Sequence, residues 1–310
     1  MKVAFIFPGQ GSQVVGMMSQ LLHESAVAQQ VFQRASDAIQ LDLKKLALDG
    51  PEEAINKTAI TQPLILTASV AVWEHWKSQS ERRPDFVCGH SLGEYTALVA
   101  NGVIGLEEAV SLVHLRGELM QSAVPLGEGS MAALLGLDDA VVVDVCAKAE
   151  QGQVVSAANF NSPGQVVISG SNAALERAIS LAKEAGAKRA AMLPVSVPCH
   201  CSLLRPAGEK LAEAFADVQL SEPTIPIVQN VSAAVPATVN ILKDNLLEHL
   251  HQPVRWADSI RYLISEGCEL FVECGSGKVL SGLNKRIDRS IKSMPVSDQA
   301  GCLTLLEAWQ

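Results

Sequence analysis

Asp85-Phe86-Val87-Cys88-Gly89-His90-Ser91-Leu92-Gly93-Glu94-Tyr95 opens as an extended apolar run and breaks into Gly-x-Ser-x-Gly. It continues as a helix-like segment with Ala97, Leu98 and Ala100 as its apolar members. Gly-x-Ser-x-Gly between a strand and a helix is the pattern of a nucleophile elbow. The turn is tight enough to strain the serine backbone, and the flanking residues must be small for helix and strand to approach, which glycine allows. Such a turn lifts Ser91 Oγ clear of the sheet. It also aims the following N–H, that of Leu92, toward a developing oxyanion. The same five residues also fit a plain strand–helix turn whose serine caps the helix.

The surrounding chain sets the frame. Its 310 residues are 48% hydrophobic and 18% charged, enough for one large α/β domain with a smaller one inserted. Net charge is -9 with no long Lys/Arg run, which argues against a nucleic-acid partner. Seven scattered cysteines lack disulfide-framework spacing and fit reduced thiols in a cytoplasmic protein. Val3 to Phe7 is apolar but shorter than a signal-peptide core, and no run is long enough to span a bilayer.

Working outward, Lys2 to Phe7 reads as a buried strand stopped by Pro8-Gly9, with a helix expected from about Gly16. Gly9 and Gly11 flank Gln10, so backbone N–H groups there are free to face a ligand oxygen. Val14 stands where the third glycine of a dinucleotide fingerprint belongs, which excludes that motif. Val27 to Leu48 is helical in pattern, and Thr61-Gln62-Pro63 is expected to start another helix. Leu106 to about Val124 is a helix carrying Arg116 among Leu112, Val113, Leu115 and Leu119. A buried guanidinium there would demand an anion, whereas an exposed one would pair with a neighbouring carboxylate.

Residues 125–197 read as β-α-β-β-α-β. Strands are expected at Met131–Leu137, Val154–Phe160, Gln165–Ser169 and Ala187–Val195, with helices at Asp138–Glu150 and Asn172–Gly186. That is the order of a ferredoxin-like unit, inserted into a larger domain made of residues 1–124 and 198–310. Asn161-Ser162-Pro163-Gly164 is its hairpin turn. His200 sits in a loop ahead of a helix at Leu203–Phe215, following the serine as in α/β hydrolases. Cys199 and Cys201 flank it, but the spacing suits one tetrahedral zinc poorly and no fourth ligand follows. Strands are expected at Ile225–Val231 and Leu270–Gly275. Gly275-Ser276-Gly277-Lys278 lacks the first glycine and the hydroxyl of a phosphate loop. Lys285, Arg286, Arg289 and Lys292 form a basic stretch that most simply lies on a solvated helix face.

Several motifs together resemble the malonyl-CoA:acyl-carrier-protein transacylases along almost the full chain. They are Phe7 to Gln13, Gly89 to Tyr95, Arg116-Gly117, Asn159 to Gln165 and Val195 to His200. The resemblance implies an α/β-hydrolase-like domain with a ferredoxin-like insert, and malonyl transfer from malonyl-CoA to a holo acyl carrier protein for fatty-acid synthesis. It implies Ser91 as nucleophile, His200 as its base, backbone N–H groups of Gln10 and Leu92 as the oxyanion hole, and Arg116 on the malonyl carboxylate. It further implies a main-chain carbonyl that orients the histidine. That carbonyl falls on His249, where the family usually has glutamine. No metal or redox cofactor enters such chemistry, since the CoA and phosphopantetheine thioesters are substrates. Lys285, Arg286 and Arg289 become candidates for docking an acidic carrier. Other readings of the same residues are a serine thioesterase or esterase, a carrier-docking scaffold, and a malonyltransferase of polyketide synthesis or malonate decarboxylation.

Overall fold

In the computed structural model, which describes residues 1–195 and 197–309, two sheets carry the chain. Ser196, within the Val195–His200 motif, and Gln310 lie outside the described residues. The larger sheet contains β1 (Lys2–Phe7), β2 (Phe86–Gly89), β7 (Ile227–Val228), β8 (Cys268–Cys274) and β9 (Lys292–Val296). Its strand order is β7-β2-β1-β8-β9, and every pairing is parallel.

Parallel strands are covered on both faces, which explains why β1 is continuously apolar rather than alternating. Val3, Phe5 and Phe7 enter one core with Leu64, Trp73 and Trp76, while Ala4 and Ile6 enter the other with Trp256, Ile260 and Leu263. The strands on either side of β1 are reached by connections running in opposite directions. A crevice therefore opens at its C-terminal end, beyond Phe7.

The smaller sheet holds β3 (Gly129–Leu135), β4 (Val155–Ser162), β5 (Gln165–Ser171) and β6 (Arg189–Met192), all antiparallel, in the order β4-β5-β3-β6. Helices Asp139–Glu150 and Asn172–Glu184 cover one face through Val142, Val145, Leu175 and Ala178. Met131 and Val167 lie on the other face, with Leu193, Val195 and Cys199 packed against them. The smaller sheet is tied to the segment ahead of the helix Trp256–Ser265 where Phe160 N–H donates to Val254 O at 2.9 Å.

Several sequence expectations shift. The helix expected at Thr61 begins at Thr58, so Pro63 lies inside it. Proline cannot donate to the carbonyl four residues back. That carbonyl, Ala59 O, is instead bonded by His114 Nδ1 at 2.8 Å, and the helix runs on. The helix expected near Gly16 starts at Ser19, and Val27–Leu48 is two helices, Ala26–Ile39 and Leu43–Asp49, separated at Gln40 with φ 54°. The strand expected at Ile225–Val231 shrinks to two residues, because Gln229 and Asn230 turn away to make side-chain bonds. The basic stretch is not one helix face: its helix ends at Ile287, Arg289 follows it, and Lys292 opens β9.

Candidate active site

Ser91 stands between β2 and the helix Gly93–Ala100 with φ 51°. A non-glycine residue is held there only by its surroundings, at a cost of about 1–3 kcal/mol. Those surroundings have no room for larger neighbours. A Cβ on Gly89 would lie 1.9 Å from Gly93 C, and one on Gly93 would lie 2.1 Å from Phe7 O. The Ser91 N–H donates to Asn230 Oδ1 at 2.8 Å, and Asn230 Nδ2 donates to Gly89 O at 2.7 Å, closing the turn.

His200 meets the serine from the loop between β6 and the helix Arg205–Phe215, with Nε2 2.9 Å from Ser91 Oγ. Its Nδ1 lies 2.7 Å from His249 O. A carbonyl can only accept, so Nδ1 carries the proton and Nε2 offers its lone pair to the serine hydroxyl. The His200 N–H also donates to Leu250 O at 3.1 Å, so two successive carbonyls grip this residue. Burial, then the neighbouring His249 and Arg116, hold the His200 imidazole well below its usual 6.5, while the His249 carbonyl opposes them. Those surroundings favour the neutral ring.

Arg116 is buried, not exposed on its helix, with 1% of its surface accessible. Gly117 explains how it reaches the site. A Cβ there would lie 2.6 Å from Ala59 Cα, so the helices Leu106–Ser122 and Thr58–Lys77 touch backbone to backbone. That contact sets Arg116 Nη1 2.7 Å from Gln62 Oε1 and Nη2 3.4 Å from Ser91 Oγ, with the guanidinium 5.5 Å from the Tyr95 ring centroid. Among the described residues no carboxylate forms an ion pair with it, and its Nε has no partner. A buried guanidinium left so is a site for an anion.

These groups border a cavity of about 220 Å³, whose other walls include Gln10, Leu92, Met131, Val167, Cys199 and Leu283. Among the described residues, neither the Gln10 nor the Leu92 N–H is taken by a protein acceptor. Both residues line the same cavity as Ser91. His90, with Nε2 2.9 Å from Asn161 Oδ1, backs the same wall. Cys199 also faces it, but burial pushes its thiol up to about 12, and burial raises Cys88 and Cys201 as well. All three are thiols at neutral pH. Among the described residues no group of three or more His, Cys, Asp or Glu side chains is gathered to hold a metal, and no helix is long and apolar enough to cross a membrane.

Of the basic residues, Arg286 touches the cavity wall through Gln165. It lies on the stripe Val279–Leu283–Arg286 of the helix Val279–Ile287 and bonds to Gln165 across the mouth. Lys285 is exposed beside it, and Arg289 is exposed beyond the helix end. Sequence reasoning missed Gln62, Asn230 and any role for Glu94. Glu94 had a signal, being a lone carboxylate on an otherwise apolar helix; Asn230 had none.

Residues 4–303 match the acyl transferase domain family. The malonyl CoA-acyl carrier protein transacylase of Haemophilus influenzae is 48% identical over 300 residues, covering 96% of each chain. That of Bacillus subtilis is 46% identical over 298 residues, covering 96% of this chain and 94% of its own. The solved malonyl CoA-acyl carrier protein transacylase of Coxiella burnetii superposes with a TM-score of 0.98 at 43% identity, covering 99% of this chain and 97% of its own. A malonyl-transacylase in complex with its type II PKS acyl-carrier protein gives a TM-score of 0.98 at 45% identity, covering 99% of this chain and 100% of its own.

Proposed function

We propose, for a chain that belongs to the acyl transferase domain family, that it moves the malonyl group of malonyl-CoA onto the phosphopantetheine thiol of an acyl carrier protein for fatty-acid synthesis. The observation that carries this reading is one oxygen, Ser91 Oγ. It has a base 2.9 Å away in His200 and an anion receptor 3.4 Å away in Arg116.

The chemistry follows from those positions. A serine hydroxyl is a weak nucleophile at neutral pH, so His200 Nε2 accepts its proton as Oγ attacks the thioester carbon. Negative charge develops on the carbonyl oxygen, facing the free N–H groups of Gln10 and Leu92. One such donor is worth about 2.7–4 kcal/mol of barrier in other enzymes. The His249 carbonyl holds the Nδ1–H of the imidazolium that forms. His200 then protonates the departing sulfur, CoA leaves as a thiol, and malonyl remains as an ester on Ser91. The carrier thiol next gives its proton to His200 and attacks the ester, and the proton returns to Ser91 Oγ. Arg116 receives the malonyl carboxylate through two parallel hydrogen bonds, a geometry acetyl cannot supply.

His200 leans on a carbonyl rather than a carboxylate, which supports the transferase over a thioesterase built on an acid–histidine–serine triad. The likeness to a transacylase bound to a PKS carrier favours polyketide supply as the second reading of the pathway. We further read the parallel sheet as an α/β-hydrolase-like domain of residues 1–124 and 198–310. The antiparallel sheet, residues 125–197, is then a ferredoxin-like insert, in keeping with its 4-1-3-2 strand order counted within that segment. Arg286 at the cleft mouth, with Lys285 and Arg289 behind it, is the docking patch for an acidic carrier. The seven free cysteines accord with a reducing, cytoplasmic setting. Steady-state transfer assays with fatty-acid and polyketide carriers test the pathway. Preference for the polyketide carrier would overturn the first reading.

A further inference from the structure

Glu94 is the one carboxylate on the helix that follows the elbow, and it is 1% exposed. Burying a carboxyl is costly unless its oxygens are satisfied, and these two oxygens face two different parts of the site. Oε1 accepts the backbone N–H of Asn230. Oε2 lies 2.8 Å from Nδ1 of His249, whose ring is completely buried. Two lone pairs that close would repel, so one of the two atoms carries a proton, although the contact falls outside hydrogen-bond geometry.

Each contact leads to one member of the reacting pair. Asn230 accepts the Ser91 N–H at 2.8 Å and donates to Gly89 O at 2.7 Å, so it fixes the strained turn that aims the nucleophile. His249 offers its carbonyl to His200 Nδ1 at 2.7 Å, and the two rings lie 4.9 Å apart. We propose that Glu94 is a positioning residue for both halves of the Ser91–His200 pair, acting through Asn230 on the serine and through the His249 side chain on the histidine. This gives the His249 side chain a task beyond that of its carbonyl. It rests on the reading of Ser91 and His200 as nucleophile and base.

The surroundings allow that proton to stay in place. Burial pushes Glu94 up to about 8, against the Asn230 N–H and the nearby Arg116 and His90 side chains. Burial holds His249 well below 6.5, with Arg116 and His90 adding to it. Both trends leave the proton on the carboxyl and the pair neutral. Cys88, Tyr95 and His200 also face the pair, and none is charged at neutral pH. A protonated carboxyl is well imitated by an amide, so Glu94→Gln preserves the clamp while Glu94→Ala removes it.

The test uses two probes of Ser91 on the full chain: a serine-directed fluorophosphonate, which reads nucleophilicity whatever the acyl donor, and malonyl-CoA in single turnover. Displacing catalytic groups by about 1 Å costs about 100-fold. Glu94→Ala should therefore slow labelling by both probes by tenfold to 100-fold, with little change in KM for malonyl-CoA. His249→Ala, which keeps its own carbonyl, should slow both in the same direction, and Glu94→Gln should restore near-normal rates. Should Glu94→Ala fail to fold, His249→Ala and Glu94→Gln carry the test. Fluorophosphonate rates unchanged in His249→Ala and in any folded Glu94→Ala would overturn the clamp. Normal fluorophosphonate labelling with no malonyl uptake by the unaltered protein would instead overturn the proposed function.

Discussion

Replacing Arg116 should separate malonyl from acetyl transfer. The guanidinium is 1% exposed, and Gln62 alone holds its Nη1. Its charge is therefore uncompensated by any paired carboxylate among the described residues. A malonyl carboxylate would complete a buried charged pair. Truncating one partner of such a pair costs about 2–5 kcal/mol, which at 1.4 kcal/mol per decade is roughly 30- to 4,000-fold in kcat/KM. Acetyl leaves the arginine desolvated and unpaired, so its loss should cost acetyl transfer little or even help it. Arg116→Ala tests the charge, and Arg116→Met keeps the bulk that packs against Tyr95. The assay is CoA release from malonyl-CoA and acetyl-CoA at subsaturating concentration, with thermal melts as a fold control. Equal losses for the two thioesters in Arg116→Met would refute the selectivity role.

Three further outcomes are expected. A base works only unprotonated, so activity falls as pH drops through the His200 pKa; that acid limb should lie well below 6.5. Arg116 is one cause of the depression, so Arg116→Met should move the limb up toward 6.5, as a pH–rate profile will read. Gly93→Ala puts a Cβ 2.1 Å from Phe7 O and should destabilise the fold by about 1–3 kcal/mol or more; an unchanged denaturant midpoint would contradict the elbow packing. Arg286→Glu should raise the KM for carrier and leave that for malonyl-CoA alone, whereas an unchanged carrier KM would retire the docking patch.

How much of this was legible in the sequence follows from the range of the interactions. The elbow was readable because its glycines answer local steric demands within five residues. β1 was readable because a strand covered on both faces must be apolar throughout. The strand and helix order of residues 125–197 was readable because periodicity switches cleanly at its turns. Arg116 was ambiguous, because burial depends on how closely two helices approach. Gly117 sets that approach, and only the partner backbone at Ala59 reveals it. The helix around Pro63 began earlier than its sequence suggested, since His114, distant in sequence, satisfies the freed carbonyl. Lys292 fell on a strand because charge alone does not report the backbone beneath it. Asn230, joined to Ser91 across the fold, left no trace in local pattern.

The most direct test of the central claim is intact-protein mass after mixing with malonyl-CoA, with Ser91→Ala in parallel, followed by holo acyl carrier protein. A malonyl adduct that forms on the unaltered protein, is absent from Ser91→Ala, and passes to the carrier is the predicted result. CoA released with free malonate accumulating and no adduct transferred would contradict it.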